Sequence, residues 1–225
     1  MVDDPITVEI WSDVACPWCY IGKRRFEAGC AAFAEADPAR PGVTVRYRSF
    51  QLAPEMSTDF EGDDVAYLTA RLGIGEDEVH RMRAQITAAG AGEGLTLDFA
   101  AVHPTNTRDA HRLLHIAREA GVQERMKERL LRAYFSEGRN VGDRAVLAEL
   151  AGEVGLDPGE VAATLAGDAW DAAVDVDIRR AAGLGIGGVP FYVIDGRYGL
   201  SGAQPVELFT QALERALADR GTPEE

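Results

Sequence analysis

Two cysteines separated by two residues, Cys16 and Cys19, form the pattern with the clearest chemistry in the sequence. A C-x-x-C pair can cycle between a dithiol and a disulfide, or supply two of the four ligands of a structural zinc site. A zinc site would need a second pair of ligands, and the chain has only one further cysteine, Cys30. The spacing therefore favours redox chemistry, and zinc binding or an inert buried pair are the alternatives.

The cysteine pair stands where a strand passes into a helix. Residues 6–11 alternate between apolar and polar side chains and predict a strand. Residues 20–36 carry apolar side chains at helical spacing, and Pro17 suits a first helical turn because its missing N–H would have no helical partner. Ser12 and Asp13 are typical of a turn and a helix cap, so we expect them to lead the chain into this helix.

A thiol at the start of a helix is in an unusual electrostatic setting. The free N–H groups and the helix dipole favour the thiolate over the thiol, so we expect a lowered pKa for Cys16. The thiolate is the attacking species in disulfide exchange, which makes Cys16 the candidate nucleophile. Cys19 lies one turn deeper and is the candidate resolving thiol.

The length, composition and net charge of the chain limit the classes of function that it can have. A chain of 225 residues with 46% hydrophobic residues can bury a core. Its 23 basic and 37 acidic residues give a net charge of −14, which disfavours nucleic acid or an anionic membrane as a partner. No apolar run reaches the roughly 18 residues that span a bilayer, and the N-terminus has no secretory signal pattern, so we expect a cytoplasmic protein.

The order of predicted elements gives the architecture. Residues 43–50 alternate and predict a second strand, parallel to the first, in a β-α-β unit. Residues 189–194 and 197–201 predict a hairpin around Asp195-Gly196, followed by a helix over 206–218. Between these parts the strand pattern stops, and helices are predicted near 64–72, 76–90, 105–120, 122–137, 143–154, 158–166 and 168–183. We therefore predict an α/β domain over 1–60 and 185–225, split by a helical insertion domain over 61–184.

Four motifs carry a resemblance to a known family: Ser12-Asp13-x-x-Cys16-Pro17-Trp18-Cys19-x-x-Gly22, Phe50-Gln51-Leu52-x-Pro54, Asn106-Thr107 with Ala110-His111, and Gly188-Val189-Pro190-Phe191. In this order the sequence resembles the thioredoxin-fold DsbA family, and within it the FrnE-like branch, which is related to the glutathione-dependent 2-hydroxychromene-2-carboxylate isomerases. The resemblance implies a thioredoxin-like fold, in which a β-α-β half and a β-β-α half are separated by a large all-helical insertion.

The resemblance also implies roles for single residues. Cys16 would be the nucleophile and Cys19 the resolving cysteine. Pro190 would be a cis-proline that faces the pair, and the backbone of Val189 before it would pair with an extended peptide substrate. Trp18, between the cysteines, is expected to be exposed and to contact an apolar substrate.

Three residues of the predicted insertion match residues that line the active-site cleft in members of the family that the sequence resembles. Asn106, Thr107 and His111 would contact substrate or glutathione, or else cap and solvate the start of a helix. His111 and His115 have the i, i+4 spacing of a metal pair, but no third ligand is evident and we predict no metal. Cys30 lies on the apolar face of the first helix and is expected to pack as a small hydrophobe.

The function predicted from the sequence is thiol–disulfide exchange through the Cys16–Cys19 pair, with protein or small-molecule thiols and disulfides as substrates. This needs no cofactor beyond the redox-active disulfide, and glutathione is a candidate co-substrate. One alternative is a glutathione-dependent isomerase of a small aromatic or polyketide-like compound, although the isomerase relatives carry serine at the position of Cys16. A second alternative is a redox-sensing or peptide-binding module without turnover. Exposed strand edges permit a homodimer.

Overall fold

The computed structural model describes residues 4–60, 62 and 64–220. Along these residues the elements are β1 (Ile6–Ser12), α1 (Pro17–Ala36), β2 (Val43–Ser49), α2 (Asp64–Leu72), α3 (Glu76–Gly92), α4 (Arg108–Glu119), α5 (Gln123–Ser136), α6 (Arg144–Glu153), α7 (Pro158–Ala166), α8 (Asp171–Gly183), β3 (Phe191–Ile194), β4 (Tyr198–Ser201) and α9 (Val206–Arg220). The first three residues, on which the localisation prediction partly depends, lie outside the described residues.

The described strands form one sheet in the order β2-β1-β3-β4. Strands β1 and β2 are parallel, with Ile10 opposite Tyr47, and α1 is the crossover between them. Strand β3 runs antiparallel to β1, and β4 runs antiparallel to β3. The β3–β4 turn has positive φ at Asp195 and Gly196, as a type I′ hairpin turn requires. The predicted fold class, with its β-α-β and β-β-α halves, is confirmed.

Alternation along β1 builds a core on each face of the sheet. Ile6, Val8 and Ile10 point to one face, where they pack against apolar residues of α1 and α9 such as Phe26 and Phe209. The opposite face carries a smaller cluster of buried apolar residues, Trp11, Ala181, Ile186 and Val193, to which α8 contributes Ala181. Because both faces are covered, the end of β1 that leads into the cysteine pair is held rigidly.

The helices α3 to α7 contribute to a third apolar cluster, which reaches the thioredoxin-like part through Val14, Tyr20 and Ile21. The helices predicted over 61–184 are confirmed, with shifted ends. Helix α4 begins at Arg108 because the Asn106 side chain accepts the Arg108 N–H, at 2.8 Å. The division into two domains at 60/61 and 184/185 stays a prediction. None of the helices in the described part of the chain combines the length and the apolarity needed to cross a membrane.

Candidate active site

The helix α1 begins at Pro17, and Cys16 is the extended residue immediately before it. The first turn is closed by a hydrogen bond from the Cys19 N–H to the Cys16 carbonyl, at 3.0 Å. Both thiols are free and almost fully buried. The Cys16 side chain borders a cavity on the outside of the turn, whereas Cys19 lies behind it and does not line this cavity. A molecule in the cavity therefore meets Cys16 first.

The segment before β3 reaches the cysteine pair from the other half of the fold. The peptide bond between Val189 and Pro190 is cis. The Cys16 Sγ lies 3.5 Å from the Val189 carbonyl oxygen and donates its S–H to it. Trp18 is 40% exposed beside them, as expected. The structure thus brings together four of the predicted site residues, Cys16, Trp18, Val189 and Pro190.

A cavity of about 470 Å³ opens beside Cys16, between the first turn of α1 and the helical insertion. Most of its lining is apolar, and its charged lining residues are the arginines Arg71 and Arg83. Its lining includes Trp18, Leu52, Met56, Tyr67, Leu72, Met82, Ile86, Phe99, Val102 and Phe135. Three of these, at positions 18, 52 and 72, are large apolar side chains that remain exposed to solvent. The site can therefore hold an apolar group next to a reacting sulfur.

The three residues of the insertion that were predicted to contact substrate, Asn106, Thr107 and His111, do not line the cavity, and Thr107 is buried. The Asn106 side chain donates to the carbonyls of Pro54 and Met56, at 2.9 Å each, and so ties the segment after β2 to the start of α4. His111 is fully buried, and its Nε2 lies 3.2 Å from Asp13 Oδ1. The contacts of Asn106 and His111 thus hold the segments beside the cavity and not a molecule within it.

Asp13 does not have the role expected of a helix cap. Its carboxylate is 1% exposed and accepts the Leu52 N–H at 2.7 Å as well as the His111 contact. Burial acts to raise the pKa of Asp13, but the hydrogen bond and charge of His111 and the Leu52 N–H outweigh it and lower this pKa. Burial lowers the pKa of His111, and Asp13 opposes the shift only in part. The expected helix cap is not found, because Cys16 precedes α1 and no side chain caps this helix, whereas Asp13 accepts the Ala15 N–H at 3.5 Å within the turn.

Lys127 is a buried group of the site that the sequence analysis missed. Its side chain is fully buried, and its Nζ has no hydrogen-bond partner among the described residues and lies 5.7 Å from the centre of the Tyr47 ring. Burial lowers the pKa of Lys127, opposed first by Cys19, then by Asp13 and Cys16. One signal could have found it, because a lysine four residues after Gln123 and three before Leu130 falls on the buried face of α5.

The two thiols differ in ionisation, in the opposite sense to the prediction. The pKa of Cys16 is raised well above its ordinary value, first because its S–H is held by Cys19 and second because of burial. Burial acts to raise the pKa of Cys19, but the Cys16 thiol, the charge of Lys127 and the Asp13 N–H together outweigh it and lower this pKa. The lowered pKa expected for Cys16 from the helix end is not found, because its hydrogen bond with Cys19 and its burial act in the opposite sense.

The remaining candidates from the sequence have structural partners. His111 and His115 turn to different carboxylates, Asp13 and Asp177, each at 3.2 Å. Cys30 is half-buried against the sheet side of α1, and burial raises its pKa to about 12.

A four-stranded sheet of this topology, with a C-x-x-C pair at the start of the first helix, defines a thioredoxin-fold protein. The family model described as the DSBA-like thioredoxin domain matches residues 7–214, so this chain belongs to that family, which is one of DsbA-like thiol–disulfide oxidoreductases.

Solved structures agree with this assignment. The probable DsbA oxidoreductase SCO1869 from Streptomyces coelicolor is 44% identical, with a TM-score of 0.89 over 98% of this chain and 93% of that one. A 2-hydroxychromene-2-carboxylate isomerase shares the fold at 16% identity, with a TM-score of 0.67 over 95% and 97% of the two chains. The cytosolic disulfide reductase DsbM from Pseudomonas aeruginosa, solved with GSH, shares it at 20% identity, with a TM-score of 0.59 over 96% and 98%.

Proposed function

We propose that the protein is a thiol–disulfide oxidoreductase that works through a mixed disulfide on Cys16. The observation that carries the proposal is that Cys16, and not Cys19, borders the cavity. A substrate thiolate attacks the Cys16 sulfur of the oxidised pair, the Cys16–Cys19 bond breaks, and Cys19 leaves as a thiolate. A second substrate thiolate then attacks the substrate sulfur of the mixed disulfide and releases Cys16. The pair gains two electrons and the two substrate thiols become a disulfide.

The cavity supports a substrate with an apolar group beside its sulfur. The exposed rings and chains at its mouth can cover such a group, and the backbone at Val189, which lines the cavity beside Cys16, can support an extended peptide. The DsbM structure with GSH supports glutathione as the thiol or disulfide that resets the pair. Because DsbM is described as cytosolic, it also supports the cytoplasm as the place of action.

A second candidate function is a glutathione-dependent isomerase of a small aromatic compound. One specific observation favours it, namely an apolar cavity of about 470 Å³ within the size range of small-molecule sites and next to the position where a glutathione sulfur would stand. This reaction would not consume the Cys16–Cys19 pair. It would need added glutathione and would survive the loss of Cys19.

Single substitutions at the cysteines test the proposal. Cys16→Ser should abolish exchange with a disulfide substrate, because no thiol then borders the cavity. In the opposite direction, Cys16 attacks a disulfide substrate, half of the substrate leaves as a thiolate, and Cys19 then attacks the Cys16 sulfur and releases the other half. With a disulfide substrate, Cys19→Ser should therefore accumulate an adduct linked to Cys16, visible as added mass in non-reducing mass spectrometry. Cys30→Ser is the matched control and should exchange like the unchanged protein. Normal turnover by Cys19→Ser would refute the two-cysteine mechanism, and turnover that required glutathione would favour the isomerase.

A further inference from the structure

The cavity beside Cys16 is lined by charges of one sign. Among the described residues that line it, the charged ones are Arg71 and Arg83, and neither aspartate nor glutamate is present. The chain as a whole has the opposite balance, with 37 acidic and 23 basic residues. A partly enclosed site with positive groups in its lining attracts negatively charged ligands, so its charge favours a molecule that carries an acid group.

Arg71 holds its guanidinium group at the mouth of the cavity. One of its N–H groups donates to the Leu52 carbonyl, and another lies 2.6 Å from Glu55 Oε1. Its Cζ atom lies 5.9 Å from the centre of the Tyr67 ring. Leu52 and Tyr67 line the cavity, whereas Glu55 does not. These contacts hold the guanidinium group in place beside the opening, and because it has five N–H donors, some remain for a further acid group.

The inner wall of the cavity is suited to a ring. Phe99 and Phe135 meet edge to face with their ring centres 6.1 Å apart, and the almost fully buried Ile86 lines the same space. The volume of about 470 Å³ is within the range of small-molecule sites. A charged group is costly to bury, so a bound molecule would place its apolar body against this wall and keep its acid group at the opening, beside Arg71.

We propose that the cavity binds a small-molecule disulfide, or the corresponding thiol, in which an apolar ring carries a carboxylate, and that Arg71 binds this carboxylate. The inference rests on the proposed function and names the substrate class of the same site. Such a substrate differs from glutathione, whose carboxylates stand on a polar body. The ring lies beside the sulfur that reacts with Cys16, and Arg71 contributes to binding without taking part in the exchange of sulfur.

The exchange step balances without a further reactant. The Cys16 sulfur attacks one sulfur of the bound disulfide, the substrate S–S bond breaks, and one half of the substrate leaves as a thiolate. Cys19 then attacks the Cys16 sulfur and releases the other half. The cysteine pair loses two electrons and two protons, and the two halves of the substrate take them up and become thiols. The reverse sequence oxidises two acidic thiols and reduces the pair.

Two substitutions in the ion pair of Arg71 and Glu55 test the binding of the acid group. The reduced protein is mixed with dithiodibenzoic acid or with its diamide, an uncharged disulfide of similar shape, and release of the aryl thiol is followed by absorbance. Arg71→Met should slow the reaction with the acid about fivefold, because the cation is lost. Glu55→Gln should accelerate that reaction about twofold, because it removes the carboxylate that competes for Arg71. The diamide should react at an unchanged rate in both variants.

The opposite signs of these effects separate substrate binding from a structural role. Both substitutions break the same ion pair, so a purely structural contribution would change the two rates in the same direction. Arg139→Met and Glu149→Gln are the matched controls and should leave both rates unchanged. Their side chains are 34% and 65% exposed, against 31% and 68% for Arg71 and Glu55, and they do not line the cavity.

The conservative variant Arg71→Lys keeps the positive charge and should recover part of the rate with the acid. Three results would overturn the inference. They are a change of the same sign in Arg71→Met and Glu55→Gln, an equal effect on the acid and the diamide, and an effect of the control substitutions as large as that of Arg71→Met.

Calorimetry on Cys16→Ser separates the inference from the proposed function. Biphenylcarboxylate, which contains no sulfur, is titrated into this variant, and the uncharged biphenylcarboxamide is titrated for comparison. We expect the acid to bind more tightly than the amide, and Arg71→Met in the same background to weaken binding of the acid about fivefold. Equal affinity for the two compounds would refute the acid site. If the unchanged protein exchanged neither disulfide, the proposed function would fail, while this titration would still test the inference.

Discussion

Gly22 lies on α1 between the cysteine pair and the Val189–Pro190 segment. A methyl group added at Gly22 would lie 2.6 Å from Tyr192 Oη and 3.0 Å from Pro190 Cγ. Tyr192 is 1% exposed, so its hydroxyl cannot swing into solvent. The substitution Gly22→Ala must therefore push the Pro190 ring and, through the adjoining Val189 carbonyl, change the contact with Cys16.

The same helix offers a matched control at Gly29. A methyl group there would lie 2.7 Å from Phe209 Cβ and 3.2 Å from the Val206 carbonyl oxygen, on the side of α1 that packs against α9. Either alanine gains about 1 kcal/mol of helix propensity and loses about 1–3 kcal/mol by overpacking. The net loss of about 0–2 kcal/mol corresponds to a fall in Tm of about 0–8 °C for a chain of this length.

The two variants should differ in chemistry although they resemble each other in stability. A shift of a few tenths of an ångström at Pro190 should slow attack at Cys16 by about tenfold, which is about 1.4 kcal/mol in activation free energy. Exchange of the reduced protein with oxidised glutathione, stopped by alkylation and counted by mass, measures this rate. Gly29→Ala should react at the rate of the unchanged protein.

Equal exchange rates in the two variants, with both folded, would refute the reasoning. They would mean that the contact between Pro190 and α1 does not set the geometry at Cys16. An equal fall in exchange rate in Gly22→Ala and Gly29→Ala would also contradict the reasoning. The slower exchange would then follow from the lower stability of both variants and not from the contact of residue 22 with Pro190.

Two further predictions concern acid stability and substrate choice. The pKa of His111 is lower in the folded than in the unfolded protein, so the unfolded state binds more protons and stability falls as the pH drops below about 6.5. His111→Gln should lose less stability between about pH 7.5 and pH 5.5, measured by urea midpoints, than the exposed control His80→Gln. At the mouth of the cavity, Leu72→Glu should slow exchange with an uncharged aromatic disulfide several-fold, because it places a charge where an apolar group binds. The exposed control Leu208→Glu should leave that rate unchanged.

Each of these predictions has an opposite outcome that would count against it. Identical acid sensitivity in the two glutamine variants would show that the buried histidine does not carry the effect. Equal slowing of exchange with the aromatic disulfide and with oxidised glutathione by Leu72→Glu would show that the cavity mouth does not select apolar substrates.

The parts of this fold that are encoded locally could be predicted from the sequence. Alternation marks β1 and β2, and the helices predicted near 143–154 and 158–166 are capped by Asp143 and Asp157, whose side chains accept N–H groups of the first turn. The turn at Asp195-Gly196 is confirmed by the positive φ of both residues. In each case the residues that decide the structure lie within a few positions of one another, so a short window of sequence contains the whole physical cause.

The cysteine pair and the segment around Pro190 could be predicted as well, but not the charges beneath them. Asp13 meets His111 across 98 positions, and the buried Lys127 belongs to a helix of the insertion. These contacts depend on how the insertion packs against the sheet, which no local pattern encodes. The helix-end argument did not anticipate the effects of the neighbouring Cys19 thiol and of burial, which raise the pKa of Cys16.

The hydrogen bonds of Gln123 have a consequence for association. Strand β2 lies at the edge of the sheet, and an open edge is a template for adding a foreign strand or for aggregation. The Gln123 amide occupies both backbone groups of Tyr47, and the Asp177 carboxylate accepts the Ser49 N–H at 3.1 Å. Side chains from two helices of the insertion thus take the place of a fifth strand. A shortened chain that lacked those helices would expose unpaired backbone groups of β2, which could pair with a foreign strand. In the intact protein, a further strand would instead be added at β4, the other edge of the sheet.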